Sequence, residues 1–281
     1  MTNILEAIVN IVAQKNFKIK DFYSGRNRAN GMGDALENYV KDAFVNTFDT
    51  DEELARMKVY EQEFSWLGSQ NNPPDIMIKG GDAIEVKKTQ SANSSLALNS
   101  SYPKRDIRNT SPMITKECKA CEDWTVKDLI YCVGHTDDTS LKSLWMVYGN
   151  LYAAKHETYQ RIKTTISEGI KTIPDVVFSD TKELGRVNQV DPLGITNLRI
   201  RGMWQIENPR KVFSYLHPST ESTFELICII PLAKYNSFTE ESRNKIESLE
   251  ESDLSIKDSQ IKDPNNPAKL INVKLIKYIV K

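Results

Sequence analysis

Asn72-Pro73-Pro74-Asp75-Ile76-Met77-Ile78-Lys79-Gly80-Gly81-Asp82-Ala83-Ile84-Glu85-Val86-Lys87-Lys88 is the stretch on which the reading of this chain turns. Two glycines separate two runs in which apolar residues alternate with polar or small ones, the period-2 pattern of a half-buried strand. The stretch therefore predicts a β-hairpin with Asp75 at its entrance and an acid-X-Lys triplet, Glu85 to Lys87, on the return strand. Ile76 and Ile78 face one way on the first strand, as do Ile84 and Val86 on the second. Asp75, Met77 and Lys79 share a face with Ala83, Glu85 and Lys87 only if the loop holds an odd number of residues. A three-residue loop of Gly80, Gly81 and Asp82 pairs Met77 with Glu85 and Asp75 with Lys87. A two-residue Gly80-Gly81 turn pairs Ile76 with Glu85 and sends Asp75 to the other face. A one-residue slip flips every side chain, so register decides whether the two acids and the lysine meet. Three-residue loops with a glycine in the left-handed position are common, and the productive register is the expected one.

In that register Asp75 and Glu85 are diagonal neighbours about 7–8 Å apart at the backbone, within reach of one shared cation. Carboxylate oxygens suit a hard ion such as Mg²⁺, which keeps several waters and binds substrate phosphate. A metal so held lowers the pKa of a bound water and stabilises charge developing on a phosphodiester. Lys87 would orient or deprotonate the attacking water, or stabilise transition-state charge, and the sequence leaves those roles open. In a chain with 27% charged residues an acid-X-Lys triplet alone arises by chance. Its weight comes from the Pro74-Asp75 entrance and the hairpin that joins the two halves.

Pro74-Asp75 followed by Glu85-Val86-Lys87 matches the PD-(D/E)xK nuclease pattern. Further runs carry a more specific likeness: Arg28-Ala29-Asn30, Gly33-Asp34-Ala35-Leu36-Glu37, Asn72-Pro73-Pro74-Asp75 and Gly81 through Lys88. Leu96-Ala97-Leu98-Asn99-Ser100-Ser101, Lys182-Glu183-Leu184-Gly185-Arg186-Val187-Asn188, Arg201-Gly202-Met203-Trp204 and Asn265-Asn266-Pro267-Ala268 continue it. In these runs, spread in order over nearly the whole chain, the sequence resembles the NgoPII/MthTI-type restriction endonucleases. The resemblance implies a type II enzyme that cuts double-stranded DNA at GGCC with Mg²⁺, with Asp75 and Glu85 as metal ligands and Lys87 beside them. It also implies a cognate DNA methyltransferase as functional partner. The expected fold is α/β, a PD-(D/E)xK restriction-endonuclease-like core with a mixed central sheet flanked by helices and carrying insertions.

The 281 residues have length enough for a core and 40% hydrophobic content. A net charge of −1 gives no global attraction to DNA, which weighs against a non-specific coat protein but not against locally clustered basic residues. Asn3 to Val12 is amphipathic, without the basic start and unbroken apolar core of a signal peptide, and no apolar run is long enough to span a membrane. A soluble, cytoplasmic protein is expected. Cys118, Cys121, Cys132 and His135 have a spacing, C-x2-C-x10-C-x2-H, that zinc can use. Against zinc, Thr115 to Trp124 reads as helix without a Gly or Pro to shape a knuckle, and Cys132 sits in an apolar strand. Free thiols are the preferred reading, with Cys228 in the core.

No repeat or low-complexity linker divides the chain, so residues 1–281 are read as a single endonuclease domain. The catalytic hairpin covers about 72–90 and a candidate DNA-recognition region about 182–211. A first helix leads to a polar loop, Ser24 to Gly33, and then to a helix with an apolar stripe at Leu36, Tyr39, Val40, Ala43 and Phe44. Asp34 to Glu37 forms a candidate capping box. Glu37 is either a capping residue or, as the PD-(D/E)xK resemblance implies, an additional acid at the metal site. Strands are expected at Leu129–Val133, Leu144–Tyr148, Leu198–Arg201 and Phe224–Pro231, with a helix around Ala153–Glu168. Glu240 to Ser259 reads as a solvated helix or surface segment, and Lys269 to Lys281 as a closing strand.

Arg199 and Arg201, two apart on a strand, project together. Arginine pairs bidentately with guanine in the major groove, so they are candidates for base readout, with phosphate contacts or a solvated face as the alternative. Arg186, Asn188 and Gln189 form a second polar cluster. Asn99, Ser100, Lys104 and Arg105, with Arg26 and Arg28, are more naturally phosphate contacts, which position without specifying. Cutting both strands of a palindrome requires two sites related by a twofold axis, so a homodimer is expected. Two other readings share these residues: a structure-specific repair or junction nuclease, and a DNA-binding protein in which the acids are structural.

Overall fold

The computed structural model describes residues 2–24, 31–69, 72–98, 101–218, 221–251 and 253–281. Helices α1 (Ile4–Gln14), α2 (Ile19–Ser24), α3 (Met32–Val45) and α4 (Glu53–Glu63) lead into β1 (Phe64–Ser69), β2 (Asn72–Ile78) and β3 (Ala83–Thr89). Short β4 (Leu96–Ala97), β5 (Asp106–Arg108) and α5 (Lys116–Ala120) precede the long strands β6 (Val126–Thr136) and β7 (Leu141–Tyr148). Next come α6 (Gly149–Tyr152), α7 (His156–Ile170), β8 (Val177–Phe178), β9 (Gly185–Asn188), β10 (Leu198–Ile200), β11 (Gln205–Ile206) and α8 (Pro209–Val212). The chain closes with β12 (Phe224–Pro231), α9 (Leu232–Ser237), α10 (Glu240–Glu247), β13 (Leu254–Asp263) and β14 (Asn266–Val280).

The main sheet runs in the order β1-β2-β3-β6-β7-β12-β14-β13, with β5 added beside β6. β3 with β6 and β7 with β12 are parallel, and the other neighbours along this order are antiparallel. The fold is thus mixed α/β, with α1, α2, α3 and α10 packed among themselves and α3 laid against β3 and β6. β12 lies between β7 and β14, and Leu226 through Ile230 are fully buried, Cys228 among them. An unbroken apolar run suits a strand covered on both faces. Behind α3 the buried Asp42 carboxylate accepts from the hydroxyls of Tyr23 (2.8 Å), Tyr60 (2.6 Å) and Thr47 (2.5 Å), which ties α2 and α4 to α3.

The hairpin forms with an odd loop, but one residue earlier than expected. Ile76 pairs with Ile84 and Met77 with Ala83, the Ile78 N–H donates to the Asp82 carbonyl, and Lys79, Gly80 and Gly81 make the turn. Gly80 takes the left-handed position, with φ 61°. Asp82 leaves the loop because its side chain is buried, accepting from Tyr148 Oη (2.7 Å) and Lys234 Nζ (2.6 Å). Nor is the hairpin half-buried at this end: Ile76, Met77 and Ile78 are all covered, Met77 by the Cys118 thiol 3.4 Å from its sulfur.

Three further expectations are corrected. The Asp34–Glu37 capping box does not form, since α3 starts earlier at Met32 behind Gly31, which makes no side-chain cap. The Thr115 helix ends at Ala120, although Thr115 does cap it by accepting from the Cys118 N–H. Only the first part of Glu240–Ser259 is helix. Leu254 onward is β13, whose Leu254 and Ile261 are buried, because β14 offers it a partner along its whole length. No helix among the described residues is long and apolar enough to cross a membrane.

Candidate active site

Asp75 stands where the β2–β3 ladder gives way to side-chain chemistry. One step beyond the Ile76–Ile84 pair sets it directly opposite Glu85, closer than the diagonal expected from the later loop. The Val86 N–H donates to Asp75 Oδ2 at 2.6 Å, so a carboxylate takes a position that a backbone carbonyl would hold in a longer ladder. Lys87 Nζ donates to Glu85 Oε1 at 2.6 Å. The other oxygen of that carboxylate, Oε2, is buried without a hydrogen-bond partner among the described residues. A buried, unpartnered carboxylate oxygen beside a second carboxylate is a donor set suited to a hard cation.

The electrostatics agree. Burial, and then the neighbouring Glu85 charge, push the Asp75 carboxyl up to about 7. Burial alone would depress the Lys87 ammonium, but Glu85 and Asp75, with a smaller contribution from Glu37, outweigh it and hold its pKa above the ordinary value. In the parallel β3–β6 pairing Glu85 lies beside Tyr131 and Lys87 beside Val133. The Tyr131 hydroxyl accepts from the Lys104 N–H (2.8 Å) and donates to the Lys104 carbonyl (3.0 Å). Lys104 is half-buried, and burial holds its ammonium down to about 8. Asp75, Glu85, Lys87, Lys104 and Tyr131 line one cavity of about 780 Å³, and so do Glu183 and Arg201 from much later in the chain.

The candidate recognition region reaches this cavity by a route the sequence does not show. β8, β9 and β10 form a small antiparallel sheet in the order β10-β9-β8, and β11 then zips onto β4, just after the hairpin, with the Leu98 N–H donating to the Trp204 carbonyl at 2.8 Å. Arg199 pairs across from Arg186, so strand alternation puts Arg186, Asn188 and Arg199 on one face, with Arg201 following in the same phase. Arg186 Nε donates to Asn188 Oδ1 (3.2 Å). Arg199 binds Glu183 through two nitrogens (3.1 and 2.7 Å), and Arg201 Nε binds the same carboxylate (2.6 Å). Glu183 went unassigned in the sequence although it lies in one of the quoted runs; a two-arginine clamp needs the β9–β10 register to be seen.

Other candidates fall elsewhere. Glu37 is engaged by Lys41 one turn on (2.6 Å), and its charge is felt at Asp75 and Lys87. Arg105, next to Lys104, lines a different cavity with Lys155, Asn265 and Lys269 and pairs with Asp106 (3.3 Å). Asn99, Ser100, Arg26 and Arg28 lie outside the described residues. The cysteine–histidine spacing does not converge. Cys132 and His135, three apart on β6, project to opposite faces, the cysteines are free, and among the described residues no three His, Cys, Asp or Glu side chains gather as a metal cluster. Two carboxylates nevertheless suffice for Mg²⁺, which completes its shell with water and substrate phosphate.

Comparison with known proteins now places the chain. The model of the NgoPII restriction endonuclease family matches residues 2–262. The type II restriction enzyme NgoPII of Neisseria gonorrhoeae is 48% identical over 278 residues, covering 98% of this chain and 99% of the relative. No solved structure matches. The chain belongs to the NgoPII restriction endonuclease family and is a site-specific endonuclease.

Proposed function

We propose that this endonuclease is a Mg²⁺-dependent type II enzyme with a PD-(D/E)xK core, hydrolysing phosphodiester bonds at a short palindrome, GGCC. The observation that carries the reading is the meeting of Asp75, Glu85 and Lys87 in one cavity, with Glu85 Oε2 left buried and without a hydrogen-bond partner among the described residues. Asp75 and Glu85 are the residues that would hold the ion. When bound, it lowers the pKa of a water and offsets charge on the reacting phosphate. Asp75, with a carboxyl near 7 in the free protein, gives up its proton to serve as a full ligand. Lys87 stays an ammonium through its two acid neighbours, so its role is to orient the water and stabilise phosphate charge rather than to take a proton.

In this reading the whole chain acts as one endonuclease domain, with the hairpin at about 72–90 for chemistry and the arm at about 182–211 for recognition. Support for the arm comes from Arg201 and Glu183, which share the cavity with the catalytic candidates. A palindrome cut in both strands calls for a homodimer. A restriction enzyme also calls for a cognate methyltransferase protecting the host DNA, and for a cytoplasmic setting where incoming DNA is met.

The direct test is to incubate the purified protein with linear plasmid DNA, with Mg²⁺ or with EDTA, and to sequence the fragment ends. Discrete Mg²⁺-dependent ends at GGCC are expected. Discrete ends elsewhere would discard the specificity and keep the chemistry. Cutting confined to branched DNA would favour a junction nuclease, and intact DNA in every divalent metal would favour a binding protein. For the arm, Arg201→Ala is expected to weaken binding to the cleavage site by about 1–3 kcal/mol if it reads guanine, measured against DNA of unrelated sequence. An equal loss on both would make Arg201 a phosphate contact.

A further inference from the structure

The sequence treats Lys104 and Arg105 alike, as two basic residues along the DNA backbone, and the structure separates them. Arg105 opens to another cavity and is paired with Asp106, whereas Lys104 lines the cavity of Asp75, Glu85 and Lys87. Its main chain is fixed from two sides. The Tyr131 hydroxyl holds both its N–H and its carbonyl, and Tyr131 is the register neighbour of Glu85. On the other side lies Gly149, where a Cβ would stand 2.6 Å from the Lys104 and Arg105 carbonyl oxygens, so only glycine permits the approach. A lysine that touches DNA along an open surface requires no such clamp.

The side chain has little to satisfy it within the protein. Lys104 Nζ reaches the Ser101 hydroxyl and lies 5.4 Å from the Tyr102 ring centroid, and it forms no ion pair among the described residues. Glu85 Oε1, in the same cavity, is already taken by Lys87. A half-buried ammonium without a paired carboxylate is costly to keep, and such groups are retained where a ligand supplies the missing charge. In this cavity the anion at hand is the phosphodiester.

We propose that Lys104 is a second catalytic lysine, which hydrogen-bonds a non-bridging oxygen of the scissile phosphodiester and stabilises the charge that builds there. It transfers no proton in this role. Lys87 serves the oxygens beside Glu85, and Lys104 approaches the same phosphate from the Tyr131 side. The inference rests on the active-site reading above.

The test uses the full-length protein with Lys104→Met and Lys104→Arg, linear plasmid DNA, and Asp75→Asn as a parallel control. Single-turnover cleavage in Mg²⁺, DNA affinity with Ca²⁺ in its place, and thermal unfolding without DNA are measured together. Lys104→Met is expected to cut about 100- to 1000-fold more slowly while binding DNA within about tenfold of the parent. Its unfolding temperature should be unchanged or higher, because the change removes an unpaired half-buried charge. Lys104→Arg should recover part of the rate. A loss of affinity as large as the loss of rate would make Lys104 an ordinary backbone contact and overturn the proposal. So would an unchanged rate, and so would a clear drop in unfolding temperature or failure to fold. If Asp75→Asn cleaves at the parent rate, the active-site reading itself has failed; if it is inactive while Lys104→Met is not, only the role of Lys104 falls.

Discussion

Asp75→Ala, Glu85→Ala and Lys87→Ala are each expected to lower cleavage by about 1000-fold or more while leaving the fold intact. The two acid variants remove half of the candidate metal ligation, worth several kcal/mol of transition-state stabilisation at about 1.4 kcal/mol per tenfold. Lys87→Ala removes the ammonium that holds Glu85 Oε1, leaving that carboxylate buried with neither oxygen satisfied by Lys87. Its loss therefore combines missing charge at the phosphate with a mis-set ligand. Asp75→Ala gives up the Val86 N–H bond, but the paired residues of the β2–β3 hairpin, Ile76, Met77, Ala83 and Ile84, are buried apolar groups that hold it together. Circular dichroism should match the parent, and single-turnover cleavage should not. A Lys87→Ala protein with full activity would remove Lys87 from the chemistry.

Metal-free protein should lose stability as pH rises from about 4 to about 7, and Asp75→Asn should flatten that slope. Burial and Glu85 push the folded Asp75 carboxyl up to about 7, against an ordinary 3.8. Between those values the folded chain holds a proton that the unfolded chain has released, so stability falls as pH rises and the penalty is complete above about 7. The size is on the order of 2–4 kcal/mol for one group shifted this far. Asp75→Asn has no charge to bury and should melt higher than the parent near pH 8 in EDTA, despite being inactive. Mg²⁺ should reverse the order by stabilising the parent, which binds it, more than the variant. Cleavage by the parent should decline as pH falls below about 7, with a midpoint that moves lower as Mg²⁺ is raised, because proton and metal compete for one carboxylate. Melting curves that respond to pH identically in parent and variant would contradict the assignment.

The hairpin was legible because its information is local. Period-2 alternation and the glycine pair define two strands and favour an odd loop over a two-residue turn, and the odd loop that forms decides that Asp75, Glu85 and Lys87 share a face. The loop's position by one residue was not legible. It depends on Asp82, which the fold withdraws into contact with Tyr148 and Lys234, residues 66 and 152 positions away. The same distinction explains the acidic stretch after Glu240. Its composition suits a solvated surface, and only the long partner β14 turns its second half into β13.

The sequence by itself determined the strand alternation, the apolar central strand Phe224–Pro231, the acid-X-Lys triplet and the run of motifs that carries the family. These are properties of residues near one another in the chain. Tertiary structure alone decided that Tyr131 stands beside Glu85, that Lys104 and Arg105 part company, and that Glu183, in the cavity lined by Asp75, Glu85 and Lys87, binds both Arg199 and Arg201. The physical reason is that these placements follow from the β3–β6 parallel register, the β9–β10 pairing and the β4–β11 zipper. The first is set within the buried core, and the other two join segments outside the main sheet whose partners the local residue pattern does not name.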